Sequence, residues 1–531
     1  MNHEIGATQL KQRILAREEI AIIDVREQGI YFDCHLFWAT NIPLSRLECL
    51  VRDLLPRRSV PIVVYDSGPP GKETAARRAR DRLVDLDYTD VSVLKGGIDG
   101  WKAAGLELFS GLNVPSKTFG EYLLEQRKPP ELLAETLHAR LQANDDIVVL
   151  DSRPMDEYNE MSIPGAIDVP GAELVYRIFE VAPNPETDVV VNCAGRTRSI
   201  VGAMSLINAR IPNNVSLLKD GTMGWHLAGL RLDHGKSREG APPSEENLSK
   251  SVDAAYQVAE RFDVSFVDYP TLCGWKRDPE RSLYVFDVRT QQEFETAHVI
   301  GSIHAPGGQL VQTTDEFIAV RNARTVLVDN KEVRAIMTAS WLMQMGHHDV
   351  HVLKGSLDDM ELESGARKEH VAGYRQFETI RPGELRAALQ SGEKMMVVDL
   401  SSSRNYRQGH IPQAHWCIRQ RLESALVFHQ PVGLLVLTSE DGLLAHLAAA
   451  DLIRSDPRQL IRVLNGGNHS WKAAGFPLCD GMDNLLTDVT DVWDKPYHHE
   501  TNQEDRMRSY LEWEVQLMEQ ADRDGTVEFF C

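Results

Sequence analysis

The sequence predicts an α/β protein made of four tandem domains, each a small parallel sheet flanked by helices, followed by a C-terminal helical tail. Two observations carry this prediction: a set of strand-like motifs recurs four times, and short β-branched runs alternate with helical stretches inside each repeat. Such alternation is typical of parallel α/β layers, whose functional sites lie at the carboxyl ends of strands. A chain of 531 residues is also too long for one core.

Each repeat begins with an apolar run that ends in an aspartate, and these aspartates are Asp24, Asp151, Asp287 and Asp399. A second apolar run follows, and the residues directly after it are Asp66, Cys193, Asp329 and Thr438. The separation between the two positions is identical in the first three repeats and three residues shorter in the fourth. A third run leads to a glycine turn, which three repeats follow with a tryptophan that we expect to pack in the core (Trp101, Trp225, Trp471). A repeat of this length indicates whole domains rather than solenoid units.

Polar and proline-rich stretches divide the chain between these repeats. They predict domains at residues 1–117, 118–238, 251–372 and 373–483. The motifs stop after about Asp483, and residues 484–531 contain a charged stretch with helical character. We expect this tail to pack across the domains.

Composition excludes several classes of function. The net charge of −21 argues against a nucleic-acid partner, which would favour a basic face. No apolar run reaches the roughly 18–20 residues of a membrane span, so no membrane association is expected. The seven cysteines form no CxxC pair and no zinc-ligand spacing. Together these features predict a cytoplasmic protein without a metal or cofactor.

The candidate catalytic residue is Cys193, which an apolar run delivers into a short loop before a helix-like segment. The anion-binding loop that we predict around it consists of Ala194, Gly195, Arg196, Thr197, Arg198 and Ser199. Loop amides and the helix N-terminus favour negative charge, and two arginines add fixed positive charge. We therefore expect a lowered pKa for the thiol and a site that holds a thiolate, a persulfide or a small divalent oxyanion.

Several motifs together resemble those of the rhodanese (sulfurtransferase) family: Asp-x-Arg at a strand end, Ile-Pro-Gly-Ala at 163–166, Cys-x4-Arg-Ser at 193–199, and Lys-x-Gly before Gly-Trp. The second repeat matches this pattern best. The resemblance implies four tandem rhodanese-like domains and a persulfide on Cys193 that passes its sulfur to a thiophilic acceptor. It also implies a small sulfur donor such as thiosulfate or a persulfide, a thiol acceptor, and a protein cysteine as a further possible acceptor.

Two alternatives to the sulfurtransferase remain open at this point. Phosphatases and arsenate reductases of related architecture use a longer Cys-x5-Arg loop, whereas here Ser199 stands where that loop would place its arginine. A non-catalytic scaffold is the other alternative, because Asp66, Asp329 and Thr438 replace the cysteine in the other repeats. We interpret repeats one, three and four as inactive modules that shape access, support the second repeat or bind partners.

Overall fold

The computed structural model describes residues 4–68, 74–367, 371–429, 433–455, 457–499 and 501–531. Repeat 1 contains β1 (Glu4–Ile5), α1 (Ala7–Leu15), β2 (Ile20–Asp24), α2 (Gln28–Asp33), β3 (Thr40–Asn41), α3 (Leu47–Leu54), β4 (Ile62–Tyr65), α4 (Ala75–Asp85), β5 (Val91–Leu94) and α5 (Gly97–Ala103). A linking helix, α6 (Val114–Arg127), leads to the second repeat. Repeat 2 contains β6 (Glu131–Leu132), α7 (Ala134–Gln142), β7 (Ile147–Asp151), α8 (Met155–Glu160), β8 (Ile167–Asp168), α9 (Glu173–Val181), β9 (Asp188–Asn192), α10 (Thr197–Asn208), β10 (Val215–Leu218) and α11 (Gly221–Leu227).

A second linking helix, α12 (Glu245–Phe262), precedes the third repeat. Repeat 3 contains β11 (Ser265–Val267), α13 (Tyr269–Trp275), β12 (Leu283–Asp287), α14 (Gln291–Thr296), β13 (His298–Val299), β14 (Ile303–His304), α15 (Gly307–Gln312), α16 (Thr314–Phe317), β15 (Val320–Arg321), β16 (Arg324–Val328), α17 (Val333–Gln344), β17 (Val350–Leu353) and β18 (Leu362–Glu363). Repeat 4 contains β19 (Thr379–Ile380), α18 (Pro382–Ser391), β20 (Met395–Asp399), α19 (Ser403–Gln408), β21 (His415–Trp416), α20 (Leu422–Phe428), β22 (Leu434–Thr438), α21 (Leu443–Ser455), β23 (Ile461–Leu464) and α22 (Gly467–Ala473). The tail forms α23 (Gln503–Asp524).

Each repeat has one parallel sheet with the same strand order. The orders are β1-β5-β4-β2-β3, β6-β10-β9-β7-β8, β11-β17-β16-β12-β14 and β19-β23-β22-β20-β21. Four equal topologies confirm the predicted α/β architecture of repeated small parallel sheets flanked by helices. One strand crosses between repeats, since β15 of repeat 3 pairs antiparallel with β2 of repeat 1. The boundary proposed at residues 117/118 falls inside α6.

The recurrent aspartates hold the ends of their strands. In repeat 2, Asp151 accepts hydrogen bonds from the Arg153 guanidinium at 2.8 Å, and both side chains are fully buried. The same guanidinium donates to the Met161 carbonyl, which ties the following loop to the strand. Repeats 1 and 3 repeat this arrangement with Asp24 and Asp287. The Asp-x-Arg motif therefore positions a loop, because its guanidinium joins the carboxylate at the strand end to a carbonyl of the following loop.

The tryptophans pack in the core, as predicted. Trp101, Trp225 and Trp471 are each at most 2% exposed. In all three, the indole Nε1 donates to the carbonyl six residues later, at 2.8, 2.9 and 3.0 Å. Each indole thus buries a large apolar surface and satisfies its one polar group.

The repeats are joined by buried charged networks and by a shared apolar core. Arg334 of repeat 3 is fully buried and binds Glu173 of repeat 2 at 2.9 Å, together with Asp329 and Glu293 of its own repeat. Arg419 of repeat 4 binds Glu48 of repeat 1 at 2.7 Å. One apolar cluster runs through repeats 1, 2 and 3. The four repeats therefore pack against one another instead of standing apart on linkers.

The tail packs across the repeats, as the sequence predicted. Residues 490–498 cross from repeat 4 to repeats 1 and 2, where Trp493 stacks on Phe32 with ring centroids 4.6 Å apart and Lys495 pairs with Glu157 at 3.3 Å. Helix α23 then packs on α6, and Leu517 is fully buried between repeat 1 and that helix. Within the part of the chain that the structure describes, no helix has the length and apolar character needed to cross a membrane.

Candidate active site

Cys193 lies directly after β9, at the carboxyl end of the second sheet, and is 2% exposed. Ala194, Gly195 and Arg196 follow before α10 begins at Thr197. The thiol donates to the Ser199 hydroxyl at 3.5 Å, and that hydroxyl donates to the Arg196 carbonyl at 2.8 Å. Ser199, where a longer loop would carry its arginine, is therefore a neutral contact of the sulfur.

The charge balance around the sulfur differs from the sequence expectation. Burial raises the pKa of the Cys193 thiol. The charge of Arg198, the Ser199 hydroxyl and the backbone amides of Ser199 and Gly195 lower it, but they offset burial incompletely. The expected lowering of the thiol pKa was wrong, because the sequence could not show that the packed tail and repeats keep water from the sulfur.

Both loop arginines are engaged by carboxylates, which the sequence also did not reveal. Arg196 binds Glu121 of α6 at 2.7 Å and Asp220 at 2.9 Å. Arg198 binds Glu157 at 2.8 Å. Arg196 therefore anchors the loop to α6, while Arg198 still acts on the sulfur through its charge.

Cys193 and the loop residues 194–198 line a cavity of about 270 Å³. All four repeats, the linking helix α6 and the tail contribute to its wall: Gln28, Leu112 and Asn113 from repeat 1, Lys117 from α6, Met223 from repeat 2, Gln309, Gln312, Thr313 and Glu316 from repeat 3, Arg404 from repeat 4, and Trp493, Lys495, Pro496, Tyr497, Tyr510 and Glu514 from the tail. Five cationic residues are among those that line the cavity: Lys117, Arg196, Arg198, Arg404 and Lys495. The sequence pattern indicated only Arg196 and Arg198 of the loop, since the other three come from distant segments.

The glycine turn after the third strand supports the cysteine loop. Gly221 has φ +57°, and a Cβ atom there would lie 2.3 Å from the Cys193 carbonyl oxygen. The next amide, that of Thr222, donates to that same oxygen at 2.8 Å. Repeat 1 uses Gly97 in the same way against the Asp66 carbonyl, with a Cβ separation of 2.2 Å. The motif's glycine is thus required by close backbone approach and by positive φ.

We expect Gly221→Ala to slow sulfur loading of Cys193 at least about 10-fold, because misplacement of a reacting group by about 1 Å has costs of this order or larger. Gly229→Ala is the matched control, since Gly229 has a similar φ of +73° but, apart from its chain neighbours, no residue that the structure describes lies within 4 Å of its Cβ position. Both variants carry similar backbone strain, so a difference in loading rate measured by intact mass isolates the contact with Cys193. Equal rates for the two variants would contradict this role.

The positions equivalent to Cys193 in the other repeats hold structural side chains. Asp66 accepts hydrogen bonds from the amides of Gly68 and Ala76 at 3.0 and 2.9 Å. Asp329 accepts from the Arg334 amide at 2.8 Å and pairs with its guanidinium. Each carboxylate therefore holds its own loop at the start of the following helix.

The assignment of Thr438 to this position was wrong. Thr438 is the last residue of β22 and pairs with Asp399, as Asn192 pairs with Asp151 in repeat 2. The equivalent of Cys193 is Ser439, whose carbonyl accepts from the Asn468 amide at 2.8 Å, as Cys193 does from Thr222. The strand is one residue longer than the apolar run indicates, because threonine is compatible with a strand. Because Ser439 carries no sulfur, repeat 4 is still expected to be inactive, and this inactivity stays a prediction.

The fold and site define a class of protein: tandem α/β domains of equal topology, one of which carries a buried cysteine loop beneath a cavity. Residues 6–104, 133–228 and 275–363 match the rhodanese-like domain family. The chain belongs to this family. Its fourth repeat lies outside the matched ranges but has the same sheet order.

Two relatives extend this result. The crystal structure of a thiosulfate sulfurtransferase from Pseudomonas aeruginosa is 45% identical, with 99% of each chain covered and a TM-score of 0.95. An HTH-type transcriptional regulator from Mycobacterium tuberculosis is 32% identical over 107 residues, which make up 20% of this chain and 46% of the regulator. The chain thus spans about half the length of that curated relative. The coverage of the Pseudomonas structure includes all four repeats and the tail, so the whole arrangement is similar to that protein.

Proposed function

We propose that the protein is a rhodanese-type sulfurtransferase that moves sulfane sulfur from a donor such as thiosulfate to a thiophilic acceptor through a persulfide on Cys193. The observation that carries this proposal is the position of the Cys193 sulfur, which lies in a short amide-lined loop at the wall of a cavity bounded by cations. The similarity to the Pseudomonas thiosulfate sulfurtransferase over 99% of the chain supports the same activity.

The reaction follows from this geometry in two steps. The Cys193 sulfur attacks the outer sulfur of thiosulfate, a new S–S bond forms, and the old S–S bond breaks with release of sulfite. The persulfide anion is then held by the amides of Gly195 and Ser199 and by the charge of Arg198. Attack of an acceptor on the outer sulfur regenerates Cys193, which is a ping-pong scheme.

The charge and the volume of the cavity indicate which substrates would fit it. Lys117, Arg404 and Lys495 supply positive charge that would attract a dianionic donor. The tail covers the site, so its volume of about 270 Å³ favours a small donor and a small acceptor, such as cyanide in an assay or a low-molecular-weight thiol. Transfer to a protein cysteine would require the acceptor segment to pass the tail.

The test is to incubate the protein with thiosulfate and no acceptor. We expect a mass gain of one sulfur atom per chain and an equal amount of sulfite, because the first product of a ping-pong scheme leaves before the second substrate binds. Later addition of cyanide or glutathione should remove the sulfur. Absence of a mass gain with thiosulfate, a persulfide or mercaptopyruvate would support the non-catalytic scaffold, and sulfite release that waits for the acceptor would contradict the two-step scheme.

A further inference from the structure

Glu514 places a carboxylate from the tail against the cysteine loop. It lies in the middle of α23 and lines the same cavity as Cys193. Its Oε2 atom is 3.5 Å from the position that a Cβ would take on Gly195, two residues after the cysteine. The residue is 2% exposed. The position of a carboxylate this close to an anion-binding loop needs a chemical explanation.

The Oε2 atom of Glu514 is buried and has no hydrogen-bond partner among the residues that the structure describes. Leaving such an atom unpaired destabilises the folded protein, and more strongly when the group is charged. Unsatisfied buried polar groups are uncommon in native proteins, and each requires an explanation, of which a catalytic role is one. The open acceptor capacity of this oxygen faces the loop that carries the reacting sulfur.

The surroundings of Glu514 suit proton exchange near neutral pH. Burial raises the pKa of Glu514 to about 7, although the Lys117 ammonium opposes the rise. Burial also lowers the pKa of Lys117 to about 8. The charged or titratable groups that face Glu514 are Lys117 and Glu121 of α6, Arg196 of the loop and Tyr510 of its own helix, with Arg198, Glu316, Arg404, Lys495 and Tyr497 elsewhere on the cavity wall.

We propose that Glu514 accepts the proton that leaves the Cys193 thiol when sulfur is loaded, an inference that rests on the proposed sulfurtransferase function. In this step the thiol proton passes to the carboxylate as the Cys193 sulfur bonds to the outer sulfur of thiosulfate, and the departing electron pair leaves with sulfite. Thiol, carboxylate and thiosulfate thus become persulfide anion, carboxylic acid and sulfite, with atoms and charge conserved. The proton moves directly or through one water, as general bases commonly require.

This role supplies what the buried thiol lacks. Because burial raises the pKa of Cys193, the thiol is protonated at neutral pH and needs a proton acceptor before it can attack. The loop itself contains no group that can accept a proton at this pH, since its two arginines are permanently charged. The tail therefore contributes chemistry to the second repeat and does more than cover it.

The test compares the wild type with Glu514→Gln, which keeps shape and removes the base. Wild-type loading from thiosulfate should rise with pH through about 7, because the carboxylate form is the active one and it predominates above the pKa. Glu514→Gln should lose this dependence and load about 100-fold more slowly, within the usual range for a general base. Glu512→Gln, an exposed change on the same helix, should load like the wild type.

Alkylation of Cys193 by iodoacetamide separates this proposal from the proposed function, since it needs no sulfur donor. If Glu514 were a bystander charge, its removal would lower the thiol pKa and speed alkylation at pH 7; a proton acceptor predicts slower alkylation. If Glu514→Gln is alkylated more slowly but the wild type does not load sulfur, the proposed proton transfer to Glu514 is supported and the proposed sulfurtransferase function is overturned. Unchanged loading or faster alkylation in Glu514→Gln would overturn the proton proposal. If that variant does not fold, wild-type alkylation decides: a rise near pH 7 supports the proposal, and a rise confined to pH above about 9 contradicts it.

Discussion

Replacing Cys193 by serine is expected to reduce sulfur transfer by on the order of 10⁴-fold or more, to assay background, because a hydroxyl cannot carry sulfane sulfur and removal of a nucleophile has effects of this size. The serine hydroxyl can still contact Ser199, so the fold should persist. The measurement is intact mass after incubation with thiosulfate, alongside cyanide-dependent turnover.

Cys417→Ser is the matched control for this experiment. Cys417 is also buried, and its thiol contacts the Ile418 carbonyl in repeat 4. We expect this variant to load sulfur at the wild-type rate. Sulfur that still loads onto the Cys193→Ser protein would show that another thiol carries the reaction and would contradict the assignment.

Replacing Arg334 by methionine is expected to have the largest effect on stability, at about 3–5 kcal/mol. The change leaves Asp329, Glu173 and Glu293 without their common cation in a site where Arg334 is fully buried. Burial opposes ionisation of Glu293, yet the Arg334 hydrogen bonds lower the pKa of that carboxyl to about 2. The measurement is the urea midpoint followed by circular dichroism.

Arg17→Met is the control for Arg334, because Arg17 also pairs with a carboxylate, that of Glu528, but on the surface. Exposed pairs contribute at most about 1 kcal/mol. The double variant Arg334→Met with Asp329→Asn should recover part of the loss, since it removes one unpaired buried charge. An Arg334→Met protein no less stable than Arg17→Met would contradict a stabilising role for this network.

Much of the fold was predictable because its signals are local. An apolar run that ends in aspartate, a cysteine at a strand end and a glycine before a tryptophan each describe one strand or turn, and their repetition predicted four sheets. The error at Thr438 has a local cause as well. Leucine, valine and threonine are all compatible with a strand, so the end of β22 cannot be located from hydrophobicity alone.

The candidate site was predictable only in part, because its electrostatics depend on distant residues. Cys193 and its loop are continuous in sequence, whereas Glu121, Glu157 and Glu514 reach them from three different helices. Burial of the sulfur beneath the tail and the other repeats reverses the simple expectation that two nearby arginines lower the thiol pKa. No periodicity or spacing relates residue 514 to residue 195, so the contribution of the tail to the cavity wall could be recognised only in the structure.

The pairing of β15 with β2 has a consequence for synthesis of the chain. Val320 and Arg321 complete an edge of the first sheet, so repeat 1 leaves the ribosome without this strand and acquires it only after repeat 2 and much of repeat 3 have been made. Domains usually fold in order during translation. Here the first sheet would be completed late, because the part of β2 that pairs with β15 has no partner until repeat 3 is made. An unpaired strand edge can pair with other chains. The finished protein covers this edge, whereas we expect the nascent chain to expose it until residue 321 has been made.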